Sequence, residues 1–225
     1  MDLYYTPDLK DKLKLQFKGI DRIETNYSHI NQDMFVLSIL DGKLNGTYLE
    51  IGSNYPSLKN NTYLLEKEFD WRGVGIELGE QYIDSYRSER SNPVYMADAL
   101  TVDYDELLRS NKIEFVVDYL SCDIEPPANT FAALKKIPHH KMRFRVITFE
   151  HDAYTGSEGE SVRDDSRKFL SDLGYELVVS DVNYSGCSVE DWWVYPSLVG
   201  QKRVAVLKDI SSTLSNHDQI IYKKG

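Results

Sequence analysis

Apolar residues in this chain gather in short runs, separated by longer polar stretches with helical spacing. The runs predict strands near 47–51, 73–77, 93–97, 114–121 and 144–149, each bounded by turn residues. Helical spacing predicts helices over 57–69, 80–90, 103–110, 128–136 and 163–173, the last followed by Gly174 as a C-cap signal. Upstream, Ile30, Met34, Leu37 and Leu40 recur at helical spacing before Gly42 and Gly46 break the chain. Strand–helix alternation implies a parallel sheet with helices on both faces. Two more strands are expected at 175–181 and 192–195, around a polar loop; no helix lies between them, so one should run antiparallel. Residues 1–45 then form a helical extension, 46–208 the α/β domain, and 209–225 a loose tail.

Composition narrows the function classes. Charged residues make up 28% and hydrophobic residues 41%, ordinary for a globular protein, and no run reaches the ~18–20 apolar residues of a membrane span. The start, MDLYY, lacks signal-peptide blocks, and Cys122 and Cys187 form no pairing or metal pattern, so a reducing, cytoplasmic setting is expected. The net charge of −10 argues against nucleic acid as a partner, since phosphate binding relies on a basic surface. Its densest basic stretch, residues 135–145, reads as a solvated connection into a strand.

The ends of the strands carry the candidate chemistry. Residues 47–54 read TYLEIGSN: an apolar run ending in Glu50, one glycine, then small polar residues. The next run ends in Glu77, the third in Asp98 and the fourth in Asp123. Ligands of open α/β sheets sit beyond the carboxyl ends of the strands, and an acid after the second strand can bind ribose hydroxyls. The first turn, Gly52-Ser-Asn-Tyr-Pro, is not G-x-G-x-x-G, which disfavours a dinucleotide such as NAD and points to an adenosyl ligand without a diphosphate.

Taken with residues 61–67 (NTYLLEK), 71–77 (WRGVGIE), Asp123-Ile-Glu125, Ile147 to Asp152 (ITFEHD) and Glu190-Asp-Trp-Trp193, these motifs resemble the FkbM-like family of S-adenosyl-L-methionine (SAM) dependent methyltransferases, over roughly residues 28–200. The resemblance implies a class I, Rossmann-like fold with a seven-stranded sheet and an antiparallel last strand. It also implies O-methylation, often of sugar hydroxyls. By position, Glu50, Gly52 and Ser53, with Asn54 beside them, would meet the methionine end of the cofactor. Glu77, with Leu78 next to it, would meet the ribose, and Asp98 and Ala99 the adenine. Gln32 and Asp33 resemble a Gln-Asp pair common in these relatives. A non-catalytic SAM-fold module in glycan synthesis is the alternative.

Methyl transfer to a sugar hydroxyl needs a general base, a metal that lowers the hydroxyl pKa, or both. Candidate groups are Asp123 and Glu125 after the fourth strand, and Glu150, His151 and Asp152 after the fifth. His151 or a carboxylate can take the proton; alternatively Asp123, Glu150 and Asp152 can hold Mg²⁺. Where relatives carry glycine after the glutamate, this chain has Pro126 and Pro127. Without an aromatic after the prolines, the motif does not match that of amino methyltransferases. Arg163 and Arg167 are expected to pair with surface acids, at most one of Trp192 and Trp193 to face a ligand, and residues 154–160 to form a mobile lid. The acceptor and the oligomeric state are not legible in the sequence.

Overall fold

The expected alternation is present in the computed structural model of the protein, which describes residues 7–223. Its strands are β1 (Thr47–Ile51), β2 (Arg72–Glu77), β3 (Val94–Met96), β4 (Val116–Cys122), β5 (Arg143–Glu150), β6 (Glu176–Tyr184) and β7 (Cys187–Val194). Its α-helices are α1 (Gln32–Ile39), α2 (Tyr63–Phe69), α3 (Glu80–Glu89), α4 (Tyr104–Ser110), α5 (Pro127–Lys136), α6 (Ser157–Asp172), α7 (Gln201–Ser211) and α8 (His217–Ile221). The sheet runs β3-β2-β1-β4-β5-β7-β6, parallel except for β7, which is antiparallel to both neighbours. One face packs on α1, α2, α7 and α8, the other on α4, α5 and α6.

Local chemistry explains the boundaries. Asp103 caps α4 by accepting the Glu106 N–H at 3.0 Å, and Pro127 starts α5, where a missing N–H costs nothing. The sequence places the second helix at 57–69, but Asn60 accepts the N–H groups of Thr62 and Tyr63 and delays α2 to Tyr63. The two late strands are longer than their sequence pattern suggests. They form one hairpin closed by Ser185 and Gly186, both at positive φ (50° and 89°), the backbone of a two-residue primed turn. The expected lid is ordered: Ala153–Thr155 is a 3₁₀ turn and α6 begins at Ser157. The expected loose tail carries the end of α7 and all of α8. Ile220 and Ile221 are buried, and Tyr222 bridges to Leu13.

Both Trp192 and Trp193 are core residues on opposite faces of the sheet, so neither reaches a ligand. Trp192 stacks on Phe35 of α1 at 4.5 Å and 26°, an arrangement worth about 0.5–1.5 kcal/mol beyond its buried area. That contact seats the N-terminal helix on the sheet.

Under β1 lies a buried guanidinium. Arg90, just after α3, donates from Nε to Glu66 (2.7 Å), from one terminal nitrogen to the Pro56 carbonyl and Asn60, and from the other to the Tyr48 hydroxyl and Thr62, all at 2.9 Å. Every N–H of the side chain is used. Burial opposes its charge, but Tyr48, Tyr86, Glu50 and Glu66 more than offset that and hold its pKa above the ordinary arginine value. Arg90→Ala would leave Glu66 buried without its cation. The expected cost is about 3–5 kcal/mol, a fall in Tm of roughly 10 °C for a chain of this size. Thermal unfolding followed by circular dichroism checks this; a change below about 1 kcal/mol would remove the network from its structural role.

Candidate functional site

A cleft of about 600 Å³ opens beyond the carboxyl ends of β1 to β4. Glu50, Gly52, Ser53, Asn54, Glu77, Leu78, Asp98, Ala99, Asp123 and Glu125 all line it, so the strand-end acids read from the sequence converge. Gly52 makes the floor. Its φ is +88°, and a Cβ there would lie 1.7 Å from the Asp123 carbonyl oxygen, so only glycine lets the turn after β1 lie against the end of β4.

The turn is held by its own backbone. Gly52 and Ser53 both donate their N–H to the Ile76 carbonyl (3.0 and 3.1 Å), and Asn54 donates to Glu77 at 2.7 Å. Glu77 also accepts the Gly79 N–H at 2.6 Å, which fixes its carboxylate at the rim with lone pairs to spare. Asp98 accepts the Leu100 N–H at 2.8 Å through one oxygen, and Leu78, in the lining of the cleft, is 69% exposed. Glu50 is buried and receives Asn60 Nδ2 at 3.3 Å; burial raises its pKa to about 7 despite the nearby Arg90.

The other predicted residues separate into two groups. Glu125, Glu150 and Asp152 bring carboxylate oxygens within 4.8 Å of one another. Glu150 is pushed well above its ordinary pKa by burial and by Asp123, and Asp152 rises to about 7 through burial and the charges of Glu125 and Asp123. Among the described residues no ion pair offsets these four acids.

His151 stands apart from this cleft. It is fully buried, its Nδ1 accepts the Ala153 N–H at 3.1 Å, and its Nε2 approaches Asp191 at 3.5 Å. Asp191 is in turn gripped by both Nε and Nη2 of Arg167 (2.7 and 2.8 Å). The expected surface partner of Arg167 is therefore a buried aspartate of β7. Arg163 pairs with Asp164 as expected, at 2.9 Å.

Gln32 does not line the cleft either. It donates to Glu190 at 3.2 Å, alongside the Trp192 indole N–H. Asp33 accepts the first-turn N–H of Met34 in α1 (2.8 Å), the backbone N–H groups of Tyr27 and Ser28 and the Ser28 hydroxyl (2.5 Å), tying the segment before α1 to the start of that helix. That segment meets the loop after β1 through a bridge between Ser28 and Lys59, which puts His29, Lys59 and Asn61 on the cleft wall. Sequence reasoning missed these three. The Asn60-Asn61-Thr62 cap before an apolar run was the available signal for that loop.

Glu190 faces Glu150 across β5 and β7, and burial together with Asp123 raises its pKa to about 8. The folded state therefore binds a proton there that the unfolded chain has lost, and stability falls as pH rises through this window. Tm is expected to be higher at pH 6.5 than at 8.5, and Glu190→Gln should flatten that dependence. Melting curves at the two pH values decide it; an unchanged slope in the variant would sink the assignment.

No family model matches this sequence, and no curated protein matches it. Among solved structures it is similar to a putative rRNA-methylase from Clostridium thermocellum, with a TM-score of 0.54 and 13% identity over 76% of this chain and 97% of that one. It is also similar to a chain of a fibrillarin/Nop5p complex (TM-score 0.50, 17% identity, 69% and 74% covered). The METTL16 methyltransferase domain is a further match (TM-score 0.50, 14% identity, 73% and 66% covered). At such identities the likeness establishes the fold: the Rossmann-like architecture of SAM-dependent methyltransferases. Among the described residues no helix is long and apolar enough to cross a membrane.

Proposed function

We propose that this chain is a SAM-dependent O-methyltransferase acting on a hydroxyl of a sugar, glycan or similar small molecule, as its FkbM-like motifs imply. The observation that carries the reading is the cleft itself: one tight glycine turn with Glu50, Glu77 and Asp98 at successive strand ends. The residues fit the cofactor. Glu77 can accept ribose hydroxyls, the free oxygen of Asp98 can accept the adenine amine, and Leu78 can cover the ring. Glu50 stands at the methionine end, where an ammonium would draw off its proton. The single-glycine turn leaves a diphosphate no cradle, which disfavours NAD.

Although one similar structure is a putative rRNA-methylase, two features favour an uncharged acceptor over RNA for this chain. Its net charge is −10, and acids dominate the cleft. The acceptor hydroxyl is assigned to the side of Asp123 and Glu125, with Glu150 and Asp152 behind them. Glu125, Glu150 and Asp152 offer hard oxygen donors suited to Mg²⁺, with Asp123 beside them; a bound cation would lower the pKa of the acceptor hydroxyl. His151, with its Nδ1 already accepting a backbone N–H, has a positioning role toward Asp191 rather than that of a base. A SAM-fold module without catalysis would bind the cofactor and release no methyl group.

Calorimetry is expected to give binding with SAM and none with NAD. Glu77→Ala should weaken SAM by about 10–100-fold, the worth of hydrogen bonds to a charged group. Because Glu50 must ionise to meet the ammonium, SAM affinity should fall as pH drops from 8 to 6, and Glu50→Gln should remove that slope. Wild-type affinity for NAD equal to that for SAM would overturn the reading.

Methyl transfer from labelled SAM to candidate glycans should cease after EDTA and return with Mg²⁺. Glu150→Gln and Asp152→Asn should each lower kcat by about 10²–10⁴. Turnover indifferent to EDTA would eliminate the cation, and wild-type kcat in both variants would eliminate the cluster.

A further inference from the structure

The proposed cofactor is a zwitterion: sulfonium and ammonium cations and one carboxylate. The cations suit a cleft lined by Glu50, Glu77, Asp98, Asp123 and Glu125, but the carboxylate does not. It needs donors, and many of those around the glycine turn and the loop after it already have partners. The N–H groups of Gly52 and Ser53 both point to the Ile76 carbonyl, and that of Asn54 to Glu77. Those of Thr62 and Tyr63 point to Asn60 Oδ1. The Asn60 amide is also spent, donating to Glu50 and to the carbonyls of Ser53 and Tyr55. The Asn61 amide donates to Ser121.

One cationic side chain remains. Lys59 is the single lysine or arginine among the residues lining the cleft, and it makes no ion pair among the described residues. Its neighbour Asn60 touches Glu50, so Lys59 lies at the methionine end rather than at the ribose. Its backbone is fixed at that place. Its φ is +55°, a left-handed backbone that a non-glycine residue adopts only at a cost of order 1 kcal/mol, and the bridge to Ser28 fixes it. The same bridge joins the segment before α1 to the loop after β1, and it seats a lysine in the lining of an acidic cleft.

We propose that Lys59 receives the methionine carboxylate of SAM and is the residue that distinguishes the amino-acid-bearing cofactor from its truncated nucleoside. This rests on the SAM reading above. It predicts an affinity split that acidic contacts alone would not give: the carboxylate end of the ligand depends on Lys59, while the nucleoside end depends on Glu77 and Asp98.

Calorimetry with two probes tests it. S-adenosylhomocysteine carries the carboxylate; 5′-methylthioadenosine keeps the nucleoside and thioether but lacks the amino-acid group. Lys59→Met is expected to raise the Kd for S-adenosylhomocysteine about tenfold or more and to leave that for 5′-methylthioadenosine within about twofold. Lys59→Arg should retain most of the affinity for the first. Unchanged S-adenosylhomocysteine binding in Lys59→Met would overturn the assignment, as would an equal loss for both probes. Wild-type protein that binds neither probe would overturn the SAM reading itself, a separate result.

Discussion

The cleft depends on a single buried guanidinium. Arg90 uses five N–H groups to join β1, the loop after it and α2, through Tyr48, Pro56, Asn60, Thr62 and Glu66. Without this junction, the loop over residues 52–62 would be long and polar, and the conformational entropy of fixing it would go largely unopposed. With it, Asn60 is locked, and Asn60 in turn holds Glu50, the start of α2 and the carbonyls of Ser53 and Tyr55. A charged group inside a fold is weak support for stability but strong support for geometry, because its partners have few other arrangements that satisfy it. Here the geometry obtained is the wall of the cleft.

The distribution of charge shows the same separation of roles. Acids that hold the frame, Glu66 and Asp191, carry arginine partners and stay below their ordinary pKa. Glu50, Glu150, Asp152 and Glu190 sit above it, with burial as the leading cause in each case. Carboxylates left in that state are poised to take up a cation or keep a proton, and perturbation of this sort clusters where chemistry is done. The first group is bonded directly to arginines; of the second, Glu50 alone has one nearby, and burial outweighs it.

Much of this was legible in the sequence because period and position carry it. Apolar runs ending in acids gave β1, β2 and β4, and the rule that ligands sit beyond parallel strands gathered Glu50, Glu77, Asp98 and Asp123 in advance. What escaped depends on contacts between distant segments. Arg90 reads as one more charged residue at a helix end until Glu66 and Tyr48 are placed around it. His151 has the composition of a base, and its burial beside Asp191 is visible only once β5 and β7 are paired. Lys59 and His29 reach the cleft through a bridge between segments about thirty residues apart, which no local pattern encodes. The hairpin of β6 and β7 was underestimated because its middle, Val182 to Val189, alternates polar and apolar residues too weakly to announce a strand.

The bridge between Leu13 and Tyr222, with Lys14 N–H to the Ile221 carbonyl at 3.0 Å, brings the two flanks of the domain side by side. The stretch from residue 13 to residue 222 is thereby a loop closed by hydrogen bonds. Its connectivity is then separable from its architecture: a permuted chain, joined at that bridge and opened at the Ser185–Gly186 turn, would contain every strand neighbour that the cleft requires.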